Sequence, residues 1–210
     1  MQLQSRLTVL LFFLFIGLKS QSIDYSGDIS GITLEDRVYE KNVKTVTLKT
    51  NHNPYAPAII KLNSTERLIL DFDLLYEDYK YLNYTIIHCN SDWTPSELLK
   101  SQYIEGFQSY LIEEFEYSVN TYVPYTHYQV ALPNFNIKMI LSGNYVLLVY
   151  GDDESQPVLT KRFVVYENVV NVQTDIVRAN YLDYRFTHQE VDFKINHPGY
   201  EIPNPYQDYR

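Results

Sequence analysis

The chain has 210 residues, with 17 Lys and Arg against 26 Asp and Glu and a formal net charge of −9. No basic stripe interrupts that acidity, which excludes a nucleic-acid surface and a surface for anionic lipid headgroups. Its one cysteine, Cys89, excludes an internal disulfide, so stability must come from a buried core.

Arg6, the apolar run Leu7–Leu18 and the small residues after it have the layout of a signal peptide over residues 1–22. The run is too short for a comfortable transmembrane helix. Lipid attachment would need a cysteine at the cleavage point, and Cys89 is far from it. Export without membrane insertion is therefore expected. Residues 23–42 read as a polar leader, either a flexible arm or an edge strand. Period-2 alternation starts at Val43–Thr50, where Val46 and Leu48 share one face and Thr45, Thr47 and Lys49 the other. Ala58–Leu62 and Arg67–Phe72 follow as strands, with Leu68, Leu70 and Phe72 on one face. Tyr81–Asn90 is rich in β-branched and aromatic residues and reads as a strong strand. The stretch from Ser96 to Phe107 predicts a short helical turn, and Leu111–Tyr117 is ambiguous. Val119–Tyr128 is a proline-interrupted aromatic loop that runs into a strand over His127–Leu132. Ser142-Gly143-Asn144 marks a tight turn before the core strand Tyr145–Tyr150. Gly151-Asp152-Asp153 then turns the chain into a hairpin partner, Val158–Tyr166.

This regular spacing without a long amphipathic helix predicts an all-β domain over residues 43–167. The expected form is an antiparallel immunoglobulin-like β-sandwich, with a closed barrel as the competing arrangement. Val169–Val177 and Glu190–Asn196 read as two further strands, too few to bury a core alone. Residues 168–210 are thus expected to be a linker and the first strands of a second, incomplete β-domain.

The central motifs resemble a known family. They include Phe72-Asp73-Leu74, His88-Cys89-Asn90 followed by Asp92-Trp93 and Pro95-Ser96, and Tyr103-Ile104-Glu105-Gly106-Phe107. Tyr125 with His127-Tyr128, Leu132-Pro133-Asn134, Ser142-Gly143-Asn144-Tyr145, Arg162-Phe163 and His188-Gln189-Glu190-Val191 follow in order. Together, over residues 40–210, they are similar to the N-terminal domain of the type 9 secretion system plug proteins of Bacteroidota. The resemblance implies a periplasmic β-sandwich that docks reversibly on the periplasmic mouth of a large outer-membrane β-barrel translocon and occludes it. It implies no enzymatic activity and no cofactor. Members of the family run to about twice this length and continue with further β-structure. The protein on its own is expected to be a monomer.

The residues themselves offer little chemistry. His88 and Cys89 are adjacent in a strand and so face opposite ways, which prevents a nucleophile–base pair. Asp71 and Asp73, with Asp152, Asp153 and Glu154, lack the spacing of a calcium loop and read as a solvated strand face and turn. His52, His127 and His188 have no zinc spacing, so no metal is expected. The acidic run Glu113-Glu114-Phe115-Glu116 reads as surface, because paired glycosidase acids need separated, aligned carboxylates. Aromatic anchors are the remaining signal. Trp93, Tyr103, Phe107, Tyr122, Tyr125, His127 and Tyr128 are the candidate partner-docking residues, with Trp93 covering the sandwich end. The rival reading is a carbohydrate-binding sandwich, which would need exposed coplanar rings.

Overall fold

Leu68, Leu70, Phe72 and Leu74 are fully buried, while Asp71 and Asp73 between them lie on the opposite face. Period 2 thus decides which side of each strand meets the core. A computed structural model describes residues 32–76 and 78–199. The signal segment 1–22, the first part of the leader and the end of the tail lie outside the described residues. In chain order the elements are β1 (Arg37–Val38), β2 (Val43–Thr50), β3 (Ile59–Lys61), β4 (Leu68–Leu75), β5 (Asn83–Cys89) and α1 (Lys100–Tyr103). They continue with β6 (Ile104–Gly106), β7 (Tyr110–Leu111), β8 (Glu114–Tyr117), β9 (Tyr125–Leu132), β10 (Ile137–Met139), β11 (Gly143–Tyr150) and β12 (Pro157–Tyr166). The last two strands are β13 (Asn171–Arg178) and β14 (Gln189–Asn196).

Two sheets face each other. One has the order β2-β4-β9-β8; the other is β1-β12-β11-β5-β7, with β3 joined in parallel to β12. In immunoglobulin lettering the first sheet takes the places A, B, E and D, and β5, β11 and β12 take C, F and G. The chain therefore forms the expected immunoglobulin-like sandwich, and the two sheets do not close into a barrel. Between them Phe72 stacks on Tyr128 with ring centroids 5.1 Å apart, and Tyr145 stacks on Phe163 at 5.3 Å. Each such buried ring stabilises the fold by roughly 1.5–3 kcal/mol. The short ladder of β6 with β10 adds Ile104, Ile137 and Met139 to this core.

The six-stranded sheet is apolar on both faces. Tyr84, Ile86, Tyr145, Leu147 and Val149 face the inter-sheet core, whereas Ile87, Cys89, Val146, Leu148 and Tyr150 form a second cluster on the outside. Ile32, Leu34 and Trp93 pack over that outer cluster. The described part of the leader is thus an edge strand rather than a free arm, since Arg37 and Val38 pair with Thr160 and Leu159 of β12.

Other boundaries differ from the sequence reading for local reasons. The helical turn is only four residues, because Ile104 is captured by the β6–β10 ladder. Strand β9 begins at Tyr125, two residues early, held by pairing of Tyr125 with Leu75. In β2 the simple alternation breaks where Thr45, at φ 55°, makes a bulge between Lys44 and Thr47. Strands β13 and β14 pair only with each other, from Asn171 with Asn196 to Arg178 with Gln189. No helix among the described residues is long and apolar enough to cross a membrane.

Candidate docking surface

At one end of the sandwich β4 runs out at Leu75, β5 begins at Asn83, and β8 hands over to β9. Tyr76 lies beside the loop of residues 118–124 there, joined to it by a hydrogen bond from Tyr76 N to Pro124 O at 2.9 Å, and residues 78–82 lead on to β5. Left-handed residues shape both stretches, Tyr76 at φ 61° and Asn120 at φ 55°. Residues 78–82 are anchored from beneath. Lys80 N donates to the Tyr128 hydroxyl at 2.7 Å, and that hydroxyl donates back to Lys80 O at 3.1 Å. Tyr79 packs on Phe115 with centroids 4.2 Å apart, and Lys80 pairs with Glu40 at 2.7 Å. The loop of residues 118–124 is closed by Ser118, whose hydroxyl accepts from Tyr125 N at 2.9 Å and from Thr121 Oγ1 at 3.0 Å. On this frame Tyr76, Tyr81, Tyr117 and Tyr122 are exposed, Tyr122 completely so.

The seven residues singled out from sequence do not converge on one patch. Tyr122 is on the aromatic end, and half-buried Tyr125 starts the strand beneath it. Tyr128 is fully buried and holds the loop from inside. Tyr103 is also buried, its hydroxyl against Ile86 O and its ring against His88 and Tyr145. Burial pushes the Tyr103 phenol up to about 12, which fits a core tyrosine. Phe107 is exposed elsewhere, tilted against Tyr110. Trp93 does occupy a turn, at φ 67°, with Asp92 Oδ1 accepting from Thr94 N at 3.0 Å. Its ring, however, lies over the outer face of the six-stranded sheet rather than the sandwich end, with the Arg162 guanidinium 4.4 Å from its centroid. Sequence reasoning did not single out Tyr76, Tyr81 and Tyr117. The signal for the first two was the spacing Tyr76, Tyr79, Tyr81 just past an apolar strand, where rings alternate between support and exposure.

His127 belongs to a polar rail on the outer face of the four-stranded sheet. Its Nδ1 lies 2.7 Å from Asp73 Oδ1 and its Nε2 3.7 Å from Asp71 Oδ1. Asp71 is buried, not solvated as expected, because Lys49 Nζ at 2.6 Å and Gln129 Nε2 at 2.7 Å close over it. Burial pushes the Asp71 carboxyl up, but the hydrogen bonds from Lys49 and Gln129 outweigh it and hold the group below the usual carboxylate range. Glu113, Glu114 and Glu116 line an open groove beside this rail with His127 and Gln129. Those three carboxylates are all exposed, so nothing separates an acid from a base among them. His88 and Cys89 face opposite ways as expected. His88 Nδ1 is 2.9 Å from Ser96 Oγ, while Cys89 lies in the outer cluster with its thiol pushed up to about 11 by burial. A thiol held protonated in this way is inert. No cluster of metal-ligating side chains occurs among the described residues.

The class defined by the described residues is an antiparallel immunoglobulin-like sandwich with exposed tyrosines at one end. The chain belongs to the type 9 secretion system plug family: the model of that family's first domain matches residues 43–167. Membership gives it a role in type 9 secretion. The crystal structure of a hypothetical protein from Parabacteroides merdae is similar, with a TM-score of 0.72 and 33% identity over 83% of this chain. This chain spans under half of that one, 44%. The DNA-bound alkylpurine DNA glycosylase AlkC of Pseudomonas fluorescens aligns with a TM-score of 0.33 and 16% identity, over 59% of this chain and 30% of its own, which carries no argument. None of the curated proteins matches.

Proposed function

We propose that this protein is a periplasmic plug component of the type 9 translocon that docks reversibly on the periplasmic opening of a large outer-membrane β-barrel and occludes it. A signal peptide over residues 1–22 delivers it there, and it acts by bulk and shape, without catalysis or a cofactor. The observation that carries this reading is the aromatic end: Tyr76, Tyr81 and Tyr122 are exposed on segments braced by Ser118 and the buried Tyr128, and Tyr117 is exposed at the end of β8. Rigid exposed tyrosines on a fixed scaffold are interface anchors, because little side-chain freedom is lost on binding. The rival carbohydrate reading needs exposed rings that share one plane; Tyr81 and Tyr117 each stand edge-on to a supporting ring, Tyr79 at 76° and Phe115 at 77°. The test is a pull-down of detergent-solubilised outer-membrane complexes with the tagged protein and with Tyr81→Ala/Tyr122→Ala, read by mass spectrometry. Recovery of a very large β-barrel by the wild type and its loss with the variant is the expected result. Capture of no barrel, together with retention on polysaccharide resin, would transfer the assignment to sugar binding.

A further inference from the structure

The outer face of the six-stranded sheet is built like a core. Ile87, Cys89, Val146, Leu148 and Tyr150 are buried there, whereas the outer face of the four-stranded sheet carries Lys49, Asp71, Asp73, His127 and Gln129. The apolar part of the cover over this face is Ile32 and Leu34 from the segment before β1, and Trp93 from the turn after β5, while Gln108 and Ser109 close over Thr85 and Tyr150 at its other end. That segment is fastened to one strand. Thr160 Oγ1 donates to Glu35 O at 2.6 Å, Arg162 Nε to Leu34 O at 2.6 Å, and Arg162 N to Asp36 Oδ1 at 2.7 Å. Lys161 Nζ pairs with Asp36 at 2.6 Å, and only Arg37 and Val38 pair in register. All of these partners lie on β12. The Arg162 guanidinium also covers Trp93, so one side chain clasps both parts of the cover.

We propose that residues Ile32–Val38 are a removable strap, and that the apolar face beneath is a second interaction surface for an extended partner segment that takes the strap's place along β12. The strap itself shows what fits. Ile32 and Leu34 put apolar side chains at alternate positions, and Asp36, two residues on, offers a carboxylate to Lys161 and the Arg162 amide. An incoming strand of the same pattern replaces each fastening one for one, which is how extended peptides add to an exposed sheet edge. Exchange therefore leaves the two-sheet core intact. The surface is separate from the aromatic end, and it gives Trp93 a place in recognition as part of the cover.

Cys89, the only thiol, lies under this cover and reports its opening. The experiment measures the rate at which a thiol reagent labels Cys89 in the full chain, at rising urea concentrations below the unfolding transition. Local opening gives labelling with a weak urea dependence, at least ~10-fold faster than global unfolding permits. Leu34→Asp should raise the rate further, and Asp36→Ala, an exposed change that removes two fastenings, should do the same if the first variant folds poorly. A peptide spanning residues 30–40, added in trans, should slow labelling of either variant in a saturable way. The same peptide with Ser at both apolar positions should not. Labelling that follows global unfolding in wild type and variants alike overturns the proposal, and so does a variant whose rate ignores the peptide.

Discussion

Asp71 and Gly106 each follow from their immediate contacts. The folded state holds Asp71 below its ordinary carboxylate value through Lys49 and Gln129. A carboxyl lowered in this way stabilises the fold above the unfolded-state value, and that contribution is lost as pH falls through the folded value. The midpoint of urea unfolding should therefore drop as pH falls through and below the ordinary carboxylate value of 3.8. Asp71→Asn should start lower at pH 7 and show a shallower fall; an unchanged pH profile would show that Asp71 adds nothing. Gly106 sits at φ 104°, and a Cβ there would come within 2.3 Å of Asn136 O across the β6–β10 ladder. Gly106→Ala should cost about 1–3 kcal/mol in urea titrations, from strain and the shifted ladder. Tyr128→Phe keeps the stacked ring but orphans Lys80 N. It should cost about 1–3 kcal/mol and loosen residues 78–82, detectable as faster amide exchange there.

Among the elements, long strands with uninterrupted alternation are legible in the sequence. Leu68, Leu70 and Phe72 share a face as expected, and β11 and β12 form the expected hairpin. Where sequence and fold part, a contact distant along the chain decides the local form. The four-residue helix stops because β10, more than thirty residues later, captures Ile104. The leader becomes an edge strand because β12 offers Thr160 and Leu159. The outer apolar cluster is hidden in the sequence for the same reason: Val146 and Leu148 read as part of one continuous apolar strand, and a buried run does not announce two separate cores. Strands β13 and β14 share no ladder with the sandwich, and Val172, Ile176 and Phe193 on them are exposed. We propose that they open a further β-unit. Truncation after Glu167 should accordingly leave the sandwich's melting temperature within about 3 °C of the full chain. A larger fall would make the hairpin part of the first domain.

For the molecule as a whole, the sequence motifs point to the plug family, while the proposed docking site is only partly readable from them. Tyrosines that brace a loop and tyrosines that present from it are the same residue type. Tyr128 and Tyr103 turn inward, while Tyr76, Tyr81 and Tyr117 join Tyr122 outside. Which ring does which depends on where β4, β8 and β9 end, and that is fixed by pairing across the sheet. The most direct test of the account is the conductance of the purified outer-membrane barrel in a planar bilayer, with the protein added from the periplasmic side. Conductance should fall with the wild type and recover on washing, and Tyr81→Ala/Tyr122→Ala should leave the pore open. Conductance that stays unchanged while the wild-type protein is bound would contradict occlusion and leave docking alone.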